Sequence, residues 1–204
     1  LSAMLNRNCE LPVLYQEART LFHKSEIGKL LRPDIAREAL EDLNPPLNFD
    51  CADITDKTNQ VSFLETTFYL AHQLLQDTDI FSMAHSLEIR VPFVDHTLVE
   101  LLAKIPPGYK YKGTPKVMLL EALNDILPPE VVNRPKMGFT FPFDLWMRND
   151  LKRFVEERLK SSALFSKPAM EVLLDGFYNG KDHWSKVWSC LVLTCWLDRN
   201  DCIL

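Results

Sequence analysis

Apolar residues recur along this chain at steps of three and four positions, the spacing that places them on one face of an α-helix. No segment shows the sustained apolar–polar alternation that is typical of a half-buried strand. The pattern predicts a mostly α protein. Helices are expected over residues 11–22 and 34–43, and in five further segments whose inward-facing positions are Val61, Leu64, Phe68, Ala71 and Leu75; Leu98, Leu101, Leu102 and Ile105; Val117, Leu120, Leu123 and Leu127; Leu151, Phe154, Val155 and Leu159; and Met170, Leu173, Leu174 and Phe177.

Residues with capping side chains predict where several of these helices begin. Thr58 or Asn59 is placed to cap the helix that contains the first of these apolar sets, and Asp95 to cap the next. The pair Thr114-Pro115 is typical of an N-cap followed by proline at the first helical position. Short extended pieces are predicted at residues 89–91 and 109–111.

The last predicted helix is apolar on both sides. One side carries Trp184, Trp188, Leu191 and Cys195, and the other carries Leu193 and Trp196. A helix that is apolar all round is normally buried, so Trp188 and Trp196 are both expected inside the protein. No linker composition interrupts the pattern, which predicts a single structural region over residues 1–204.

Composition, net charge and cysteine spacing argue against several classes of protein. Of the 204 residues 47% are apolar and 25% are charged, as in globular proteins, and the net charge of -5 argues against a general binder of nucleic acid or acidic membranes. The longest apolar run, residues 187–197, is about half of the roughly 20 residues that a membrane span needs. Five irregularly spaced cysteines suggest neither a disulfide framework nor a zinc site, which favours a reducing cytoplasm.

Several catalytic motifs are excluded. The six glycines are never adjacent, whereas a loop that cradles phosphate needs flexible backbone. The segment 108–114 has the glycine spacing of a Walker A loop without its lysine, and we reject it. The histidines lack metal-ligand spacing, so no metal site is predicted, and no serine-hydrolase elbow occurs.

Two segments could carry chemistry, and the first is residues 82–95. It places Glu88 and Arg90 two positions apart, a spacing natural where a helix gives way to extended chain. A guanidinium can bind a carboxylate or phosphate through a planar fork of donors. The alternative is a buried Glu88–Arg90 ion pair that anchors the turn, with Asp95 acting as a helix cap.

The second segment is residues 133–142, a loop stiffened by prolines at both ends. It carries two cations, Arg134 and Lys136, and Gly138 allows the backbone a close approach. Phe139 and Phe141 are apolar anchors that could exclude water. An ammonium group in such a loop suits a phosphate oxygen, and the alternative is a solvated loop lysine.

These two segments resemble the asparagine synthetase family and the related β-lactam synthetases. The family pattern Met-Ala-x-x-x-Glu-x-Arg-x-Pro-Phe-x-Asp matches residues 83–95, and Arg-x-Lys-x-Gly-Phe-x-x-Pro matches residues 134–142. Between them, Lys116 leads an apolar helix that ends before a Leu-Pro stop, as in the family. The order and the spacing agree as well as the residue types.

The resemblance implies a fold and a reaction. The expected fold is the helical C-terminal portion of an α/β synthetase domain of the PP-loop ATPase type. ATP and Mg²⁺ would serve the full-length enzyme, which adenylates the side-chain carboxylate of aspartate and forms asparagine with ammonia that an N-terminal glutaminase domain derives from glutamine. The family's Ser-Gly-Gly-x-Asp-Ser and Gly-Glu-Gly segments are absent from these residues, so we expect the isolated chain to be inactive and to bind no nucleotide.

The resemblance also implies residue roles. Lys136 matches the family lysine that faces the ATP phosphates and is the expected catalytic residue, while Arg134 and Lys116 are weaker candidates for the anion site. Glu88 and Arg90 also match family positions and are weak candidates for binding substrate or phosphate, with no specific chemistry assigned to them. Two alternatives stay open: the same chemistry on another carboxylate (a β-lactam precursor, a peptide or a sugar acid), and a non-catalytic helical module that docks a partner. Each of these three functions is compatible with a homo-oligomer.

Overall fold

The computed structural model describes residues 11–42, 53–113, 116–123, 125–135, 138 and 141–200. Within these ranges the chain divides into two compact units. Unit 1 takes the described residues of 1–18 and 46–137, and unit 2 takes those of 19–45 and 138–204. In sequence, therefore, the pieces of the two units alternate, and the larger piece of unit 1 lies between the two pieces of unit 2. The helical pattern had shown no such boundary.

Helices account for most of the described residues, which confirms the prediction of a mostly α chain. We label the α-helices α1 (Leu11–Arg19), α2 (Lys24–Leu30), α3 (Pro33–Asp42), α4 (Lys57–Leu64), α5 (Gln76–Met83), α6 (His96–Ala103), α7 (Pro107–Lys110), α8 (Val117–Ala122), α9 (Pro129–Val132), α10 (Phe143–Arg148), α11 (Lys152–Ser161), α12 (Lys167–Tyr178) and α13 (Trp184–Arg199). A π-helix, Glu65–Leu75, joins α4 to α5, and a 3₁₀ turn, Pro92–Val94, precedes α6. Among the described residues, β structure is limited to an isolated antiparallel bridge between Leu31 and Phe165.

Unit 2 contains the larger hydrophobic core. The four inward-facing positions predicted for α12 are all buried, and they pack with residues of α10, α11 and α13: Met147, Val155, Leu159, Val187, Cys190 and Leu191. Proline at the start of α12 needs no hydrogen-bond partner there, which lets the helix begin directly after Ser166. This part of the fold follows the apolar pattern of the sequence.

The N-terminal piece of unit 2 packs on the same core, with Leu30 of α2 buried in it. The backbone N–H of Arg32 donates to the carbonyl of Leu164 at 3.0 Å, and the N–H of Ser166 donates to the carbonyl of Leu30 at 2.8 Å. Two segments that are far apart in sequence are thus hydrogen-bonded to each other within unit 2.

The prediction that the last helix, α13, is buried on both faces is wrong for one face. Trp188 is partly buried against the core, but Trp196 is 56% exposed, and Val192 and Leu193 are exposed as well. The described helices that contact α13 cover the face that carries Val187 and its neighbours in the core. The opposite apolar face has no cover within the described residues.

Arg148 joins the end of α10 to the end of α12. Its Nη1 donates to the carbonyls of Phe177 at 2.6 Å and Tyr178 at 3.1 Å, which lie among the last carbonyls of α12 that lack partners within the helix. Its Nε lies 3.0 Å from both carboxylate oxygens of Asp144. The guanidinium also lies 4.2 Å from the centre of the Phe177 ring, so one side chain combines capping, an ion pair and a cation–π contact.

Tyr178 carries a buried hydroxyl that has no hydrogen-bond partner within the described residues. Burial raises the pKa of this phenol to about 12. We expect Tyr178→Phe to leave the free energy of unfolding unchanged or to raise it by up to about 1 kcal/mol, because the variant buries no unsatisfied hydroxyl. Urea unfolding measures this.

The pH dependence of Tyr178→Phe gives a second readout. A raised native pKa contributes stability that is complete below the ordinary tyrosine value and is lost as the pH rises toward about 12. The advantage of the variant should therefore grow above about pH 10. Tyr109→Phe, at an exposed tyrosine, is the control for the loss of a hydroxyl outside the core. A large loss of stability in Tyr178→Phe at neutral pH would mean that the hydroxyl is bonded.

Unit 1 is organised around the continuous helix that runs from α4 through the π-helix to α5. Asp56 caps its start, and it accepts hydrogen bonds from the N–H groups of Thr58 at 2.8 Å and Asn59 at 3.0 Å. The prediction that Thr58 or Asn59 is the cap is therefore wrong, since both lie inside the first turn as donors. Leu64 is fully buried, and Phe68 packs with it.

Among the other predicted caps and extended pieces in unit 1, some agree with the structure and others do not. Asp95 caps α6 as predicted, and its side chain accepts from the N–H of Thr97 at 2.9 Å. The predicted extended piece at 109–111 is wrong, because Pro107–Lys110 forms α7. Residues 89–91 belong to no strand within the described chain. Helix α8 begins at Val117, and the predicted cap pair, Thr114-Pro115, lies outside the described residues.

Candidate functional site

The first candidate segment begins where α5 ends. The N–H of Leu87 donates to the carbonyl of Ser82 at 3.0 Å, and the N–H of Ser86 donates to the carbonyl of Met83 at 2.9 Å. This is the Schellman pattern of helix termination, in which one residue adopts a left-handed backbone. Ser86 is that residue, with φ of 56°. Helix α5 therefore ends in this turn, directly before Glu88.

The left-handed backbone at Ser86 predicts a stabilising substitution. Because a side chain disfavours this conformation and glycine does not, we expect Ser86→Gly to raise the free energy of unfolding by about 1 kcal/mol. Ser86→Ala keeps the unfavourable contact of Cβ and should bring no gain. Thermal unfolding of the two variants compares them directly, and equal stabilities would contradict the left-handed assignment.

Glu88 and Arg90 form an ion pair at the protein surface. The distance from Glu88 Oε1 to Arg90 Nη2 is 2.7 Å, and the two side chains are 70% and 86% exposed. The pairing predicted from the sequence is present, but the alternative of a buried pair is wrong. A solvated pair of this kind contributes between 0 and about 1 kcal/mol to stability, so it does not anchor the turn. Both head groups are open to a ligand or to another polypeptide.

Asp95 acts as the predicted helix cap. Its hydrogen bonds from the side chain and N–H of Thr97 lower the pKa of its carboxyl group, which keeps the cap ionised near neutral pH. A negative charge at this position also interacts favourably with the N-terminal end of the α6 dipole. The structure supports a structural role for Asp95.

The cationic candidates lie in separate loops of unit 1. Lys116 is exposed directly before α8, and its backbone is left-handed with φ of 61°. Arg134 is exposed after α9, and its N–H donates to the carbonyl of Val131 at 3.4 Å. Of the predicted site residues, the structure brings Glu88 and Arg90 into contact with each other. Lys136 lies outside the described residues, as does Phe139.

Sequence reasoning missed the role of Lys110. Its ammonium donates to Oδ1 of Asn59 at 2.9 Å and to the carbonyl of Leu102 at 3.2 Å, so it joins α7 to α4 and to the end of α6. The hydroxyls of Tyr111 and Ser62 lie 3.0 Å apart beside it. No local pattern signals this contact, since Lys110 and Asn59 are 51 positions apart. Lys110, which lies in the segment rejected as a Walker A loop, instead anchors α7 through these contacts.

Among the described residues, no group of three or more His, Cys, Asp or Glu side chains is arranged to hold a metal ion. None of the described helices is both long enough and apolar enough to cross a membrane.

Comparison with known proteins defines the class of the molecule. The family model described as asparagine synthase matches residues 5–198. This chain therefore belongs to the asparagine synthase family. The match includes both candidate segments, the one that holds Glu88 and Arg90 and the one that holds Arg134 and Lys136.

Several curated relatives are similar to this chain. Asparagine synthetase (glutamine-hydrolyzing) 1 of Bacillus subtilis (strain 168) is 27% identical over 188 residues, which are 85% of this chain and 29% of that protein. Asparagine synthetase (glutamine-hydrolyzing) 3 of the same organism is 33% identical over 59% of this chain and 19% of that protein. Amidase chry2 of Gibberella zeae is 26% identical over 61% of this chain and 20% of that protein. The chain thus spans less than a third of the length of these relatives, and no solved structure matches it.

Proposed function

We propose that this chain is part of an ATP-dependent ligase that converts aspartate to asparagine with ammonia derived from glutamine, and that releases AMP and pyrophosphate. The observation that carries the proposal is the asparagine synthase family match over residues 5–198. Relatives named asparagine synthetase (glutamine-hydrolyzing) support it. The nucleotide loop and the glutaminase function would belong to other parts of the enzyme.

The reaction would proceed in two bond exchanges. An oxygen of the aspartate side-chain carboxylate attacks the α-phosphorus of ATP, forming a P–O bond while the bond to the pyrophosphate group breaks. Ammonia then attacks the activated acyl carbon, forming the C–N bond, and AMP leaves with the C–O electron pair while the nitrogen loses a proton. Negative charge develops on the leaving oxygens in both steps, and a fixed cation lowers the energy of such charge.

Lys136 is the proposed source of that charge. An ammonium is a compact cation that can follow a phosphate oxygen, and the Phe-rich loop around it would limit competition from water. Lys116 and Arg134 are proposed to contribute to the same anion site, because both are exposed cations in loops of unit 1. The left-handed backbone of Lys116 is a local strain of the kind that clusters at binding sites.

In the proposed reaction, Mg²⁺ takes part only as the complex that it forms with ATP. The described residues offer no cluster of three potential metal ligands, so we assign no metal-binding role to them. Arg90 is proposed as a weaker phosphate ligand than Lys116 or Arg134, since it already has the Glu88 carboxylate 2.7 Å away.

A second candidate changes the acyl substrate and keeps the chemistry. Relatives named amidase chry2 and amidase chyE are 26% and 29% identical over parts of this chain. Because an amidase acts on an amide, these names support a second candidate in which the amide belongs to an acid other than aspartate. The identity of the acid therefore has to be part of the test.

The test measures aspartate-dependent formation of AMP and pyrophosphate by a reconstituted full-length enzyme that carries residues 1–204. With ATP, Mg²⁺ and glutamine, we expect one AMP for each asparagine formed, and little AMP without aspartate. AMP formation with another carboxylate but not with aspartate would favour the second candidate. No AMP with any carboxylate, from a folded enzyme, would contradict both.

The isolated chain should respond little to nucleotide. If its cations alone made a site of micromolar affinity, millimolar ATP with Mg²⁺ would stabilise the native state by about 4 kcal/mol. We expect no rise in Tm beyond that produced by an equal concentration of pyrophosphate, which tests for general anion binding. A rise of several degrees that is specific for ATP would show that these residues contain most of the nucleotide site.

A further inference from the structure

Three lysines lie between residues 110 and 116, and their surroundings differ. Lys110 is partly buried and donates two hydrogen bonds to other helices of unit 1. Lys112 is exposed, and its Nζ lies 3.9 Å from Oε1 of Glu121, a weak contact in solvent. Lys116 is exposed and forms no ion pair within the described residues. One of these lysines is therefore committed to the fold, while another is available to a ligand.

The ammonium group of Lys110 joins three helices of unit 1. It donates from the end of α7 to Oδ1 of Asn59 on α4 at 2.9 Å and to the carbonyl of Leu102 at 3.2 Å. Leu102 lies in the last turn of α6, where carbonyl groups lack a full set of partners and a cation interacts favourably with the helix dipole. Hydrogen bonds from a charged donor are stronger than neutral ones, so this group fixes the end of α7 against α4 and α6.

A second contact attaches the same turn to the same face of α4. The hydroxyls of Tyr111 and Ser62 lie 3.0 Å apart. Asn59 and Ser62 are three positions apart in one helix, so they are neighbours on its surface. Two adjacent residues, Lys110 and Tyr111, therefore hold the end of α7 on α4 at two points, which restricts rotation as well as separation.

The position of Lys116 depends on this anchored turn. Helix α7 lies against α8, and Lys116 is the residue directly before α8, with a left-handed backbone at φ of 61°. A residue in this narrow conformational region has little freedom, so the start of α8 sets the direction in which the Lys116 side chain leaves the chain. A shift of α7 on α4 would therefore move α8 and the Lys116 ammonium with it.

We propose that Lys110 is a positioning residue for the anion site: its contacts with Asn59 and Leu102 hold α7, and through α7 the start of α8, so that Lys116 presents its ammonium to the phosphates of ATP. This inference rests on the proposed function, in which Lys116 contributes to the anion site. Lys110 does not itself bind phosphate, because its ammonium is partly buried and bonded to two oxygen acceptors of the fold. A cation that is held in place stabilises an anion more than one that must first be ordered.

The first experiment measures the Kd for ATP with Mg²⁺ by calorimetric titration of the reconstituted full-length enzyme without aspartate, so that no amide is formed. Lys116→Met should raise the Kd by at least about tenfold, since it removes a charged phosphate ligand. Lys110→Met keeps the apolar stem, removes the ammonium and should raise the Kd by about three- to tenfold. Lys104→Met is the matched control, because Lys104 is an exposed lysine at the end of α6, and it should bind ATP as the native enzyme does.

Double variants test whether Lys110 acts through Lys116. In the Lys116→Met background, Lys110→Met should change the Kd by less than about twofold, because the ammonium that it positions is already absent. Asn59→Ala removes the acceptor on α4 and leaves the main-chain N–H that donates to Asp56, so the cap of α4 survives. It should weaken ATP binding about as much as Lys110→Met does, and the two changes together should weaken it no further. A merely structural lysine would lower Tm without this coupling to Lys116.

Several results would overturn the positioning role. One is a native Kd in Lys110→Met, Asn59→Ala or Lys116→Met, with each variant folded by circular dichroism. Effects of Lys110→Met and Lys116→Met that multiply would make Lys110 an independent phosphate ligand, and an equal loss in Lys104→Met would reduce the effect to net charge.

The same measurements separate this inference from the proposed function. The expected pattern of Kd values in an enzyme that forms no AMP from aspartate would reject the proposed reaction and support the role of Lys110. Aspartate-dependent AMP formation together with a native Kd in Lys110→Met would reject the inference alone. A folded native enzyme that binds no ATP would overturn both.

Discussion

Lys136→Ala in a reconstituted full-length enzyme is expected to slow adenylation by roughly two to four orders of magnitude while the fold stays intact. Adenylyl transfer asks the protein mainly for position and for positive charge on the departing oxygens, and the proposed role of Lys136 is to supply that charge. Its removal should change the free energy of unfolding by less than about 1 kcal/mol, since a lysine whose ammonium binds a ligand adds little to the core. Pyrophosphate release by the purified variant measures the rate.

Two variants give this experiment its controls. Lys136→Arg should restore activity only in part, because a planar guanidinium cannot replace a compact ammonium without moving its neighbours. Lys104→Ala removes an exposed lysine at the end of α6 and should leave the rate unchanged. Glutaminase activity should survive in all three variants. Near-normal adenylation by Lys136→Ala would identify Lys136 as an ordinary solvated loop lysine.

Phe177→Ala is expected to lower the free energy of unfolding of unit 2 by about 3–5 kcal/mol. The Phe177 side chain is fully buried in the core, its ring centre lies 5.1 Å from that of Tyr178, and the Arg148 guanidinium lies over its face. Truncation removes the buried ring, leaves a cavity and takes one partner from the arginine that caps α12. Urea unfolding followed by tryptophan fluorescence measures the loss, because Trp184 and Trp188 lie beside this core.

Phe154→Ala is the matched control for Phe177→Ala. Phe154 on α11 also has a guanidinium near its ring, that of Arg158 at 5.7 Å, but its side chain is exposed. Because little apolar area is buried there, we expect a loss below about 1 kcal/mol. Similar losses at the two positions would mean that the cation–π contact, and not burial, dominates the stability of this region.

The elements that the sequence predicts well are those stabilised by local rules. The apolar spacing of α12 and its proline at the start are independent signals for the same helix, and all four predicted inward positions are buried. Asp95 is another example, since an aspartate before an apolar periodic run needs nothing beyond its own helix to act as a cap.

The helix of unit 1 shows why an apolar period can mislead. The five positions Val61 to Leu75 were expected on one buried stripe, yet Val61 and Ala71 are exposed while Leu64 is buried. From Glu65 to Leu75 the chain is a π-helix, whose i→i+5 hydrogen bonds place more residues in each turn than an α-helix does. Residues three and four apart then drift off a common face, and the sequence contains no local signal for this change.

The two candidate segments could be selected from the sequence for a different reason, and the roles of their residues stay predictions. The two segments were selected by their residue types and by resemblance to a family, and the family match includes both. The resemblance did not predict the geometry of these residues: the Glu88–Arg90 pair lies in solvent, and Lys110, in neither segment, joins α7 to Asn59 and Leu102. Burial and long-range pairing depend on residues that are distant along the chain, which local patterns do not encode.

The pairing of α2 with α13 has a consequence for the order in which the protein is made. Glu26 accepts a 2.6 Å hydrogen bond from Lys186, a residue 160 positions later, and Leu30 is buried in a core to which the later helices α10 to α13 contribute. A ribosome that adds about 5–20 residues per second therefore exposes α2 on the order of ten seconds before its partner helix exists. During that interval the apolar face of α2 is open to misfolding and to chaperones. Vectorial synthesis thus favours folding of unit 1 first, because its second piece is complete before α13 is made, and unit 2 closes only when α13 has left the ribosome.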